Sequence, residues 1–139
     1  MAFQWKERYS LKIPEIDAQH KRLFEIGEHA YELASLNDDY DHFDEIRTII
    51  NELLEYTQYH FKYEEKFMST FNYPDINDQI TSHNFYVNKI KGITDSQIDD
   101  DQHKAVLDIL DFLAEWISSH ILISDRKYAD YYFQHGNKA

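Results

Sequence analysis

The sequence predicts an all-α protein: an antiparallel up-down-up-down four-helix bundle with an irregular N-terminal arm and a short C-terminal helix. Three observations carry that prediction. Four stretches repeat apolar residues at intervals of three and four, the period of one helical face. Only Gly 3 and Pro 2 are present, so few tight turns interrupt them. A length of 139 residues suits a single domain, residues 1–139, and is too short for two ordinary ones.

The arm, residues 1–15, carries Phe3, Trp5, Leu11, Ile13 and Pro14 without a helical period. Asp17 is the expected N-cap of the first helix, 17–37. His20, Leu23, Phe24, Gly27, Tyr31 and Ala34 share its inner face, and Asn37-Asp38-Asp39 ends it. The second helix, 41–71, has the longest stripe: Ile46, Ile49, Ile50, Leu53, Tyr56, His60, Glu64, Phe67, Met68 and Phe71. After the turn Asn72-Tyr73-Pro74-Asp75 comes the third helix, 75–91, with Ile76, Gln79, Ile80, His83, Val87 and Ile90. Gly92 to Asp101 reads as a polar, acidic connection. The fourth helix, 102–122, aligns Val106, Ile109, Leu110, Leu113, Trp116, Ile117 and His120. The tail, 125–135, holds Tyr128, Tyr131, Tyr132 and Phe133 and is expected to form a short helix packed back on the bundle.

Composition narrows the function. There is no cysteine, which removes disulfides, thiolate zinc sites, cysteine-ligated iron–sulfur clusters and a cysteine nucleophile. With 14 basic against 26 acidic residues, the net charge of −12 repels nucleic-acid phosphates and anionic lipid surfaces. No stretch approaches the ~18 consecutive apolar residues of a membrane span. Met1 to Tyr9 contains Lys6, Glu7 and Arg8 and no apolar leader. The expectation is a cytoplasmic monomer that binds neither nucleic acid nor membrane.

The apolar stripes are interrupted by ionisable groups. His20, His60, Glu64, His83 and His120 occupy positions where core residues belong, and an unpaired carboxylate among apolar groups is costly. A metal would supply the compensating charge. His60 and Glu64 are four apart and stack on one face, as do Gln79 and His83 on the next helix. Asp125 follows His120 by five, which on an unbroken α-helix leaves the two ~140° apart. If both serve one site, the helix must end or distort between Ile121 and Ser124, and Ser124-Asp125 reads as a break. Taken alone, Asp125 reads as an N-cap of the tail helix. Imidazole with carboxylate suits iron, zinc or manganese. The set exceeds what one tetrahedral zinc uses, whereas two metals bridged by Glu64 and Asp125 would use it fully.

The other ionisable groups get an ordinary reading. His29, His42, His103 and His135 lie on polar faces, in connections or in the tail, and are expected to be solvated. Glu65 lies ~100° round from Glu64 and is expected at the surface. Asp99-Asp100-Asp101 suits a helix start rather than a calcium loop. Trp116 and Ile117, one turn before His120, are expected to wall the site.

The spaced motifs resemble the hemerythrin family, in its bacterial branch. Trp5, Ile16-Asp17-Ala18-Gln19-His20, His60-Phe61-Lys62-Tyr63-Glu64-Glu65, Tyr73-Pro74, His83 and His120-Ile121 followed by Asp125 occur in order over nearly the whole chain. The resemblance implies a non-haem diiron centre and dioxygen as its ligand. By it, His20 and His60 hold one iron and His83 and His120 the other, with Glu64, Asp125 and an oxo or hydroxo group bridging. Lys12, where the arm of the family often has glycine, is a minor departure.

Gln79 is the larger one, standing where the family usually has a histidine. Three outcomes stay open. Gln79 binds through its amide oxygen, as a weaker neutral ligand; water takes the position, leaving both irons open; or that iron is held weakly and lost. The leading expectation is an oxygen carrier, store or sensor. Its rival is a diiron oxidase, a peroxidase or a nitric oxide scavenger, enabled by the open position. A third reading is an iron-dependent signalling module acting through a partner.

Overall fold

The computed structural model describes residues 3–36, 41–99 and 103–136. Among them every regular element is helical and there is no strand. The long helices are α1 (Pro14–Ser35), α2 (Phe43–Thr70), α3 (Ile76–Lys91) and α5 (His103–His120), with a short α4 (Asp95–Asp99) before the last. Helix α1 packs against α2 and α5, and α3 packs against α2 and α5. The four long helices therefore close round a common interior. No helix among the described residues is long and apolar enough to cross a membrane.

The first helix starts earlier than its sequence suggests. Pro14 occupies the first turn, where its missing N–H is no loss and its fixed φ suits the helix. Asp17 is thus inside the first turn and not its cap. Its carboxylate instead accepts from Ser10 Oγ at 2.5 Å and Leu11 N at 2.8 Å, tying the arm to the helix. The arm itself lies over α1: the Phe3 ring sits where a Cβ on Gly27 would be, 2.5 Å from that position.

Two further expectations are corrected. The connection after Gly92 is not merely polar, because Ile93 and Ile98 are buried in the core. Thr94 starts α4 with a reciprocal cap, Thr94 N donating to Gln97 Oε1 at 2.9 Å and Gln97 N to Thr94 Oγ1 at 3.3 Å. Ser124-Asp125 is no break. The backbone stays helical from α5 through a π-helical segment, Ile121–Asp125, into α6 (Arg126–Tyr131) and a second π segment, Tyr132–Gly136. Asp125 makes no side-chain cap to α6. The break expected at Asn37-Asp38-Asp39, residues Asp100 and Asp101 of the expected helix start, and the side chains of Asp99 and His103 lie outside the described residues.

The interior has two apolar clusters. The larger contains Leu23 and Phe24 of α1, Leu53 and Phe61 of α2, Tyr86 of α3 and Leu110, Leu113 and Ile117 of α5. The smaller gathers Leu11, Ile16, Met68, Phe71, Tyr73, Tyr128 and Ala129. Along α1, His20 falls between Ile16 and Leu23, and along α2, Glu64 falls between Phe61 and Met68. The polar residues thus form a layer between two apolar ones, which excludes water from above and below.

Candidate metal centre

Each long helix sends at least one of these residues inward. His20 comes from α1, His60 and Glu64 from α2, Gln79 and His83 from α3, His120 from α5 and Asp125 from the π segment, and all seven are buried. The one-turn spacing of His60 and Glu64 puts His60 Nε2 3.0 Å from Glu64 Oε1. The π segment solves the His120–Asp125 spacing. Its wider turn takes roughly one more residue than an α-helical one, so five residues overshoot one revolution only slightly. His120 Nε2 lies 3.2 Å from Asp125 Oδ1.

Two three-residue groups emerge that could each hold a cation, His20/His60/Glu64 and His83/His120/Asp125, with ligand atoms in each within 4.8 Å of one another. The carboxylates straddle the two groups. Glu64 Oε1 is 3.0 Å from His60 Nε2 in its own group and 3.6 Å from His83 Nε2 in the other. Asp125 places Oδ1 by His120 and Oδ2 3.4 Å from His20 Nε2.

The donor atoms fit a metal. His20 Nε2, His60 Nε2, Glu64 Oε1, His83 Nε2 and Asp125 Oδ2 are buried and have no hydrogen-bond partner. Buried polar atoms are nearly always satisfied, and these face one another across a single layer. Nitrogen and oxygen donors of this kind match iron, zinc or manganese.

Neighbouring residues orient the donors. His60 Nδ1 donates to Gln19 Oε1 at 2.7 Å, and His83 Nδ1 donates to Glu65 Oε2 at 2.8 Å. Each bond puts the ring proton on Nδ1 and leaves the Nε2 lone pair directed inward. The buried Tyr128 hydroxyl donates to Glu64 Oε2 at 2.6 Å. Phe61 stacks flat on the His83 ring at 3.8 Å, and Trp116 on the His120 ring at 4.6 Å. Ile117 is fully buried one turn before His120. Glu65, expected at the surface, is instead a partner of His83. Gln19 and Tyr128 are not site residues by sequence, although Gln19 directly precedes His20 and Tyr128 lies three residues after Asp125. His29 and His135 are exposed, and His42 pairs with Glu45 at 3.0 Å away from the centre.

Gln79 makes two bonds within the second group. Its Oε1 accepts from His120 Nε2 at 2.8 Å, and its Nε2 donates to Asp125 Oδ1 at 3.1 Å. His120 is therefore held through the nitrogen that faces inward.

The electrostatics show what the cluster does with its own protons. Burial alone would lower the His20 pKa, but the Asp125 and Glu64 carboxylates overcome it and hold it at about 9. His120 is raised in the same way, against burial, by Asp125 and Glu64. His60 is pushed down by burial, which outweighs Glu64. Burial would raise both carboxylates, yet Glu64 is held well below the usual range by His60 and His20, and Asp125 is lowered by His120 and His20. Tyr128 is pushed well up by burial and by Glu64, so its hydroxyl stays a donor.

Known proteins share this chain's pattern. A family model described as the hemerythrin HHE cation binding domain matches residues 11–132. A bacteriohemerythrin of Clostridium acetobutylicum is 38% identical over 92% of this chain and 99% of its own length. One of Campylobacter jejuni is 32% identical over 84% of the chain and 85% of its own. A hemerythrin-like protein of Naegleria gruberi is 27% identical over 91% and 90%. The matched span runs from the end of the arm to α6 and takes in every residue of the buried polar layer, and on that match the chain belongs to the hemerythrin family.

Proposed function

We propose that this protein binds dioxygen reversibly at two irons held in the buried polar layer, as a carrier, store or sensor. His20 and His60 hold one iron, His83 and His120 the other, and Glu64 and Asp125 lie between them. The observation that carries this reading is that both carboxylates straddle the two histidine groups while their free oxygens and three imidazole nitrogens lack partners. The same reading takes the chain as one domain with its long helices running up, down, up and down, acting as a cytoplasmic monomer.

Held by these residues, a pair of irons would supply reversible electron donation to dioxygen. The chain's part is to orient and to exclude. Gln19 and Glu65 fix the tautomers of His60 and His83. Tyr128 fixes the Glu64 carboxylate. Phe61, Trp116 and Ile117 present apolar surface beside the ligands, which keeps water and stray protons from the site.

Air admitted to the deoxygenated diferrous protein should bring up near-ultraviolet and visible charge-transfer bands that disappear when oxygen is removed. A colourless protein with two irons, or bands that bleach irreversibly, would refute reversible carriage. One observation favours a second reading, reaction with peroxide or nitric oxide: a neutral amide at Gln79 in place of an imidazole leaves one iron short of a strong ligand. On that reading Gln79→His lowers turnover and lengthens the life of the oxygenated form. Unchanged values for both would remove it.

A further inference from the structure

The two halves of the centre are unequal, and Gln79 is the cause. In the His20/His60/Glu64 group, His20 Nε2, His60 Nε2 and Glu64 Oε1 are all without hydrogen-bond partners. In the His83/His120/Asp125 group, His120 Nε2 donates to Gln79 Oε1 and Asp125 Oδ1 accepts from Gln79 Nε2. A cation entering the first group meets donor atoms that no other side chain holds by a hydrogen bond. One entering the second must break or turn the two hydrogen bonds that Gln79 makes to His120 and Asp125. A histidine at this position could donate only one ring proton, and with that proton on the outer nitrogen it would offer a further lone pair.

Gln79 also lies under a small pocket of about 80 Å³ that opens to the surface. Tyr73, Asp75, Asp78, Ser82, Ser124 and Lys127 line it with Gln79. Asp75 and Asp78 are exposed at this mouth, and Gln79, only 3% exposed, forms its floor. Behind that floor stand His120 and Asp125. None of His20, His60 and Glu64 lines this pocket, and all three are completely buried.

We propose that Gln79 closes the second cation site in the metal-free protein, so that the two sites load in order, His20/His60/Glu64 first, and that a divalent cation enters and leaves the second site through the pocket lined by Asp75 and Asp78. The inference rests on the reading of these groups as two metal sites. It makes the second ion the exchangeable one. The protein then passes through a state with one metal bound, which a diiron function must leave behind before it operates.

The test is a titration of the metal-free full chain with cobalt(II), buffered by a weak chelator. Bound metal is followed by dialysis and by the visible absorption of the cobalt. Two steps are expected, the second weaker by about tenfold or more, the cost of two rearranged hydrogen bonds. His60→Ala removes the tight step and His83→Ala the weak one. Gln79→His draws the steps to within about threefold of each other. The pair Asp75→Asn with Asp78→Asn slows the second step in stopped flow and leaves the first at its wild-type rate, and this surface pair serves even if Gln79→His folds poorly. Two equivalents bound in a single step, loss of the tight step in His83→Ala, or equal slowing of both steps by the aspartate pair would each overturn the proposal while leaving two metal sites in place. Absence of any bound metal would overturn both it and the diiron reading.

Discussion

Replacing Tyr128 with phenylalanine removes one oxygen atom from the centre of the molecule and nothing else. The hydroxyl donates to Glu64 Oε2 at 2.6 Å, and both residues are fully buried. The ring contacts with Phe67 and Tyr73 depend on shape and survive the change. What is lost is a hydrogen bond to an ionised carboxylate, a class that contributes about 1.5–3 kcal/mol. Glu64 Oε2 is then left with only His20 Nε2 at 3.6 Å, too far to replace the lost donor. For a chain of this length 2 kcal/mol corresponds to a melting temperature lower by roughly 6 °C. The second consequence falls on the metal: a carboxylate free to turn no longer spans both histidine groups, and loss of such an orienting bond lowers metal affinity about 10–100-fold. Thermal melts of metal-free and metal-loaded protein, with a chelator competition, measure both effects. A melting shift under about 2 °C together with wild-type metal affinity would show that Glu64 is held by the histidines alone, and would refute the role assigned to Tyr128.

Other changes probe the remaining supports. Glu65→Gln weakens the acceptor of the His83 Nδ1 proton and should lower affinity for the second metal by about tenfold while sparing the first; chelator competition on each step reads it, and equal loss at both would count against the assignment. Gly27→Ala places a methyl group 2.5 Å from the Phe3 ring, so the arm must lift. A cost of about 1–2 kcal/mol is expected, and a double-mutant cycle with Phe3→Ala should be strongly sub-additive; additive losses would show that the two do not act through one contact. The metal-free protein should lose stability as pH rises. His20 binds its proton more tightly folded, at about 9, than at its ordinary 6.5, so that stabilisation is complete below pH 6.5 and gone above about 9. For His20 alone the fall amounts to about 3 kcal/mol, and a melting temperature that is flat across this window would contradict the His20 assignment.

Helical period alone was enough to find the ligand candidates, because burial is what a period reports. His20, His60, Glu64, His83 and His120 sit on apolar stripes, and all are buried. Asp125 required a distortion, and the distortion is there as a π segment, though without the break that Ser124-Asp125 suggested. The supporting residues escaped for a geometric reason. Glu65 is ~100° from Glu64 and falls on the flank of its helix, which period analysis assigns to solvent. It reaches His83 across the α2–α3 groove, a contact set by how two helices meet and not by either one. Tyr128 was visible as an aromatic residue in the tail. Its hydroxyl bond to Glu64 spans 64 positions of sequence and depends on the helix continuing past Asp125.

Gln79 shows the same limit from the other side. Its departure from the expected histidine is plain in the sequence, but the question it raises there concerns only what would bind the metal. In the folded chain the amide answers a different need. Two buried carboxylates with no cation beside them require protons nearby. His20 supplies one, held at about 9 by Asp125 and Glu64. The same carboxylates raise the pKa of His120, and Gln79 Oε1 accepts from its Nε2 while Gln79 Nε2 donates to Asp125. An imidazole at position 79 could not serve both His120 and Asp125 through one nitrogen, whereas an amide offers an acceptor and a donor side by side. An amide at this position thus satisfies the metal-free layer better than an imidazole would.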